Sequence, residues 1–371
     1  MKGDRVKMKK IKEYVPVPAL VLIVLAFVCA VIHLISVISV SFADFFNLKI
    51  ATAFRFLLAK ITGILPFSFA EILIILSPLW IFLTVFFAVK LFKADKKKQI
   101  RFLSSLFAAL TFFYSSFVLT FAVAYRGTPL EDKLSLNREK LSADDIYVTL
   151  TTVTSELSAL IAETEYAESG LSVMPYSFSS LNGKLNEAYK SAADKYVFLN
   201  GFGSRVKEIL LSEPMTYTHI SGVYTYFTGE ANVNVNYPDY VIPFTVAHEM
   251  AHQRGIARED EANFVAFLVC LESDDSYVKY SAYFNIFEYL YSALYRADSE
   301  KAKEFAASVP NEIKREVAAF SEFFEKYSDN VAADLSDKIN NSYLVSQGQT
   351  AGVQSYGLVT ELTVAYYKAK P

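Results

Sequence analysis

Three long apolar stretches dominate the first third of the chain, at about Pro18–Val40, Phe67–Val89 and Phe102–Ala124. Each matches the roughly 20 residues that a helix needs to cross the hydrocarbon of a bilayer. They predict three transmembrane helices within residues 1–127. Behind them the pattern changes. From about Leu141 apolar residues recur at helical spacing through Ile161, and Ser142 with Asp145 forms a capping box at the start. Further helices are predicted at about 178–195, 276–296, 311–327 and 353–369. The 276–296 stretch is rich in Tyr and Phe but carries Lys279, Glu288 and Arg296, so its aromatics are expected to pack a core. Residues 223–227 and 231–235 are β-branched and aromatic, with Thr228-Gly229-Glu230 between them, which signals a hairpin. Tyr237-Pro238-Asp239-Tyr240 then breaks the chain. Pro243 suits the first turn of a new helix through His252, and Gly255 suits its end. The expected fold class is mainly α: three transmembrane helices, then a mostly helical α+β domain over 128–371 with a small hairpin or sheet before the His248–His252 helix.

Charge divides at the same place. Residues 1–127 carry 16 Lys/Arg against 5 Asp/Glu, and the remainder carries 20 against 34, so the net charge of −3 hides +11 in front and −14 behind. The acidic back argues against nucleic acid as a partner, because phosphates need a basic surface. The basic N-terminus (Lys2, Arg5, Lys7, Lys9, Lys10, Lys12) and the cluster Lys90, Lys93, Lys96, Lys97, Lys98, Arg101 both belong in the cytoplasm. The first apolar stretch is too long for a cleaved signal and reads as an uncleaved anchor. A third span then delivers everything after about Tyr125 to the outer face of the membrane. Residues 45–62, with Lys49, Arg55 and Lys60, fit either a helix lying in the interface with its basic residues snorkelling or a connecting loop. Glu71 is expected at the interface and His33 in helix packing. Cys29 lies inside an apolar run, so no pairing with Cys270 is expected.

The chemistry lies in His248-Glu249-Met250-Ala251-His252. Two His four apart share one helical face, so both imidazoles can reach one Zn²⁺ at about 2.0–2.1 Å. Glu249 is then placed to take a proton from an attacking water. A second helix starting near Glu259 puts Glu259, Ala262, Asn263 and Ala266 on one face. With Ala247 and Ala251 beside the His, the two helices can approach closely enough for a carboxylate to complete a His₂Glu set. Glu259 is the first choice as third ligand, and Glu261 remains the alternative. Asn263 is placed to orient a ligand His by a hydrogen bond. Tyr224, Tyr226, Tyr237, His219 and Tyr280 are candidate oxyanion donors by type, and the Asn/Val strand at 231–235 could pair with a substrate backbone.

The arrangement H-E-x-x-H followed by E-x-x-A-[DN]-x-x-x-A resembles the gluzincins. That resemblance implies zinc ligands His248, His252 and Glu259 with Glu249 as general base, although the six residues between His252 and Glu259 are fewer than in most gluzincins. The Gly three residues after the second His resembles the metzincins, whose third ligand falls here on Arg258, which cannot bind zinc. A longer resemblance rests on Leu65-Pro66-Phe67-Ser68, Tyr125-Arg126-Gly127-Thr128-Pro129-Leu130, Phe227-Thr228-Gly229-Glu230-Ala231-Asn232, the run from Pro243 to Asn263, and Ser355-Tyr356-Gly357. These segments look like a bacterial membrane family, domain of unknown function 3810, a resemblance that implies a shared architecture and brings no established substrate.

The sequence therefore predicts a membrane-anchored, zinc-dependent metallopeptidase of the bacterial cell membrane. It would act on peptide or protein substrates of the cell envelope. The alternative is a non-catalytic zinc-binding membrane protein, a sensor or envelope assembly factor. Structural zinc sites use four protein ligands and favour Cys, whereas His₂Glu leaves a position open and gives Glu249 a purpose. Three spans with little intramembrane charge do not suggest a transporter. Polar residues flank the motif on both sides, which places it in water near the membrane. Nothing in the sequence fixes an oligomeric state.

Overall fold

The computed structural model describes residues 12–370, excluding the side chain of residue 356. Lys2, Arg5, Lys7, Lys9 and Lys10, which carry the expectation of a cytoplasmic N-terminus, lie outside the described residues.

Val17–Ile38 is one apolar helix with Pro18 in its first turn, and Lys96–Thr120 is another, capped by the Asp95 carboxylate. Both are long and apolar enough to cross a membrane. They pack together and share a small core with Cys29, Phe46, Ala51 and Val118. The middle stretch departs from the expected continuous span. It forms Phe69–Ile75 and Ser77–Leu91, bent by 50°. Pro78 sits in the first turn of the second piece, where it lacks an N–H and its ring crowds the carbonyl four residues back. The last apolar helix also stops at Thr120, and Ala122–Arg126 winds into a tighter 3₁₀ turn.

Between the first two apolar segments the chain is helical from Val40 to Thr62, with a π-turn at Phe46–Ala51. Lys49 and Lys60 are exposed, but Arg55 does not snorkel: it is fully buried. A buried guanidinium requires hydrogen-bond partners. Arg55 donates to Asn47 Oδ1 (2.9 Å), Asn47 O (2.9 Å), Thr52 Oγ1 (2.9 Å) and Thr120 O (2.7 Å).

The C-terminal region is built around one core. Ala143–Leu160 opens on a capping box in which Ser142 and Asp145 satisfy each other's backbone N–H. It packs on Ser276–Ala297, whose Tyr280, Phe284 and Leu290 are buried. Phe178–Lys195, Val241–Gln253 and Glu259–Leu271 complete the centre, joining Leu185, Met250 and Phe267 to the same cluster. Asn311–Glu325 lies at its edge. The expected helix at 353–369 is two pieces, a 3₁₀ turn Gly352–Leu358 and a helix Val359–Ala369. Two longer helices were not expected: Ser299–Ser308, capped by Asp298, and Val331–Ser346, capped by Asn330, with Val331, Leu335 and Ile339 exposed.

The hairpin belongs to a three-stranded sheet. Gly222–Thr225 runs antiparallel to Glu230–Val233, from Gly222 opposite Val233 to Thr225 opposite Glu230. Lys207–Glu208 joins in parallel on the other side of Glu230–Val233. The Asn/Val strand is therefore central and buried, already paired on both sides, and not the strand that could receive a substrate. The edges are Lys207–Glu208 and Gly222–Thr225.

The two halves are joined by polar contacts as well as by the chain itself. The Glu230 carboxylate accepts Phe69 N (3.0 Å) and Ala70 N (2.8 Å) at the start of the bent helix pair. Glu71, from that same turn, accepts Leu210 N (2.9 Å) and Leu211 N (2.8 Å). Lys207 Nζ donates to Thr62 O (3.1 Å) and to Leu65 O, and Asp44 holds both the N–H and the hydroxyl of Thr128.

Candidate metal centre

The helix Val241–Gln253 is buried along nearly its whole length, and its end is set by Gly255. Gly255 has φ +90°, Gly255 N donates to His252 O (2.9 Å), and Ile256 N donates to Ala251 O (3.1 Å). This is a Schellman turn, which favours glycine because a Cβ crowds the left-handed backbone. The turn brings the Ile256 carbonyl back under the helix, 2.7 Å from His252 Nδ1. A carbonyl only accepts, so Nδ1 carries a proton toward it and Nε2 is turned toward Glu259.

Glu259–Leu271 starts two residues after Ala257 and packs on the motif helix, with Ala247 and Ala251 on one helix and Ala262 and Ala266 on the other all fully buried. Glu259 Oε2 lies 3.3 Å from His248 Nε2 and 3.3 Å from His252 Nε2. The three ligand atoms fall within 4.8 Å of one another. Two ligands at about 2.0–2.1 Å from a tetrahedral ion stand about 3.3–3.4 Å apart, the edge of the tetrahedron. The two Glu259 separations match that edge, and two imidazole nitrogens with one carboxylate oxygen are donor types that fit a zinc ion. Glu261 turns away: its carboxylate accepts Leu130 N (3.0 Å) and Arg258 Nη1 (2.9 Å). Asn263 hydrogen-bonds His248 and also donates to Tyr289 Oη (3.3 Å).

The electrostatics are those of a buried cluster. Burial opposes charge on Glu259, but the two imidazoles outweigh it and hold its carboxyl well below the usual range. Burial likewise opposes the His252 imidazolium, and Glu259 with Glu249 overrides it, holding its pKa up at about 9. His248 is pushed down, first by burial and then by His252. Burial raises Glu249 to about 8. Glu249 Oε2 is buried and meets no hydrogen-bond partner among the described residues. Its other oxygen abuts the sheet edge, since a Cβ added to Gly222 would stand 2.5 Å from Glu249 Oε1.

Two cavities meet at this carboxylate. One of about 620 Å³ is lined by His248, Glu249, His252 and Glu259 together with Phe121, Tyr224, Tyr226 and Tyr343. The other, about 380 Å³, lies on the side of His219, Asn263 and Asn285. The helix Val331–Ser346 borders both, through Ser336 and Asn340. Of the five oxyanion candidates, Tyr224 and Tyr226 line the larger cavity, and the Tyr224 hydroxyl is buried with no partner among the described residues. His219 lines the smaller one, with Nε2 held 2.6 Å from Tyr327 O. Tyr237 packs on Phe323 and Phe324, and Tyr280 donates to Glu316, so neither faces the cluster.

Several residues around the site carry no motif. Phe121 sets its ring edge-on to His252 at 5.7 Å, directly after the last apolar helix. Asn47 Nδ2 donates to Gly255 O (2.9 Å), and a Cβ on Gly255 would stand 2.4 Å from Arg55 Nη2. Arg254, fully buried, stacks on Tyr189 (4.0 Å) and Phe202 (4.8 Å). A charge in an otherwise apolar segment was the signal for Arg55, read either as snorkelling from an interfacial helix or as part of a connecting loop; Asn47 was not singled out.

Fold and site together define a mainly helical membrane protein with two apolar helices and a bent pair near its N-terminus, whose C-terminal region encloses a buried His-His-Glu cluster. The chain belongs to the family described as protein of unknown function DUF3810, which matches residues 42–364. No curated protein and no solved structure matches it.

Proposed function

We propose that this chain is a membrane-anchored zinc metallopeptidase that hydrolyses peptide bonds at the outer face of the bacterial cytoplasmic membrane. The observation that carries this reading is the pair of 3.3 Å separations from Glu259 Oε2 to His248 Nε2 and His252 Nε2, beside an unpartnered Glu249 oxygen in a cleft. His248, His252 and Glu259 hold the ion, Ile256 O fixes the His252 ring, and Asn263 fixes that of His248. A zinc ion so held supplies Lewis-acid polarisation of the scissile carbonyl and activation of water. Glu249 takes the proton from the attacking water and passes it to the leaving amine. The edge strand Gly222–Thr225 offers its backbone to an extended substrate. Tyr224, with its orphaned hydroxyl in the cleft, is favoured as the donor to the developing oxyanion. The charge asymmetry about the apolar helices supports the outer-face placement.

The test pairs zinc content with hydrolysis of a degenerate peptide pool by the full chain in detergent. Glu249→Gln should keep its zinc and lose about 10²–10⁴-fold in rate, the usual worth of a general base. Equal rates for wild type and variant sink the assignment. Zinc without hydrolysis in the wild type supports a sensor or assembly factor instead.

A further inference from the structure

The hairpin that borders the site does not stay above the apolar helices. Its turn descends along Lys96–Thr120, with Tyr226 5.1 Å from the ring of Phe117 and Phe227 5.2 Å from that of Phe113. Phe113 lies seven residues before the end of that helix, which at 1.5 Å per residue is roughly 10 Å of depth. The apolar part of the helix begins after Arg101, and about 20 residues of span from there end near Phe121. Phe121 is the residue whose ring meets His252. The metal ligands thus stand level with the end of the hydrocarbon, and the edge strand leads from Glu249, at Gly222, to a turn whose Tyr226 carbonyl meets Thr120 Oγ1 (3.1 Å) and whose Phe227 ring reaches inside it. The four strand residues cover about 10 Å, which matches that descent. The rim of the cleft agrees. Val223 on the edge strand and Leu335 and Ile339 on the bordering helix are exposed apolar side chains facing it.

Resting on the peptidase reading, we infer that the substrate is a membrane-anchored polypeptide, bound as it leaves its own transmembrane helix and cut within about five residues of the bilayer. A segment paired with Gly222–Thr225 has one end in the hydrocarbon beside Phe113 and Phe227 and its scissile bond at Glu249. A transmembrane anchor supplies such a segment, in extended form, where the helix ends. A soluble peptide must instead bring polar groups to an apolar, aromatic rim.

The experiment uses the zinc-loaded full chain reconstituted in lipid nanodiscs, with one degenerate ten-residue pool presented in three ways. The pool follows a synthetic transmembrane helix directly, follows the same helix after a flexible spacer of about 20 residues, or is free in solution. Both tethered forms raise local concentration, so their ratio reports reach rather than tethering alone. Cleavage of the directly attached pool at least about ten-fold faster than of the spaced pool is the expected result. Equal rates for those two, or a free pool cut as fast as the attached one, overturn the inference and leave the peptidase standing. No cleavage in any arm overturns the peptidase reading itself.

Discussion

Two carboxylates two residues apart on one helix have opposite fates. Glu259 meets both imidazoles, whereas Glu261, on another side of the same turn, satisfies Leu130 N and pairs with Arg258. Glu259→Ala should therefore lose zinc on dialysis against a zinc-buffered solution. Glu261→Ala should keep it and lose about 1–3 kcal/mol of stability, the cost of leaving a buried donor unmatched. Zinc loss in the second variant with retention in the first would reverse the assignment. A different carboxyl gives the pH dependence. Glu288 accepts the Tyr240 hydroxyl at 3.2 Å, and burial raises it from 4.5 to about 7. A carboxyl raised on folding binds its proton more tightly in the native state, so its contribution is full below about 4.5 and is lost as pH rises through about 7. Glu288→Gln should melt at the wild-type temperature at pH 4 and above it at pH 8. Parallel melting curves of the two proteins at both pH values would contradict this.

At the scale of elements, the site is assembled from a helix end, a helix start and a strand edge. The Schellman turn at Gly255 sets the length of the motif helix and also presents Ile256 O to His252. The edge strand approaches Glu249 so closely that only a glycine fits at position 222 without displacing the carboxylate. Gly222→Ala should lower kcat by about 10²-fold, since a 1 Å misplacement of a catalytic group costs on that order. Zinc content should be unchanged. Wild-type kcat in this variant would show that the strand does not set the position of Glu249. Much of this level was legible in advance. The helix at 178–195 and the capping box at Ser142 follow from apolar spacing and short-range hydrogen bonding, which need no tertiary partner. The helix at 331–346 was missed because its apolar residues face a cleft rather than the core, so its periodicity is weak. The bend at Pro78 was missed because a long apolar run was read by length alone.

For the molecule as a whole, the apolar helices and the site are one mechanical unit. Arg55 ties the end of the last apolar helix at Thr120 to Asn47, and Asn47 in turn holds Gly255 O at the end of the motif helix. Arg55→Ala strands the Thr120 carbonyl and the Asn47 side chain and should cost about 2–3 kcal/mol. Its zinc affinity should fall with it, read by competition with a chelator. An unchanged melting temperature would mean that the rivet carries no load. Glu230 reports the same coupling from the sheet, because its carboxylate caps the helix that starts at Phe69. The family match from residue 42 to residue 364 crosses this junction.

By itself the sequence determined what depends on neighbours along the chain: the apolar stretches, the charge asymmetry, the hairpin, and two His on one helical face closed by a glycine. Only the tertiary structure decided which carboxylate joins them, that Gly222–Thr225 rather than the Asn/Val strand forms an edge, and that Arg55 is buried. Those outcomes depend on how two helices and a sheet meet in space. Residues such as Glu259 and Glu261, two apart in sequence and alike in chemistry, are separated only by the face each presents to its surroundings.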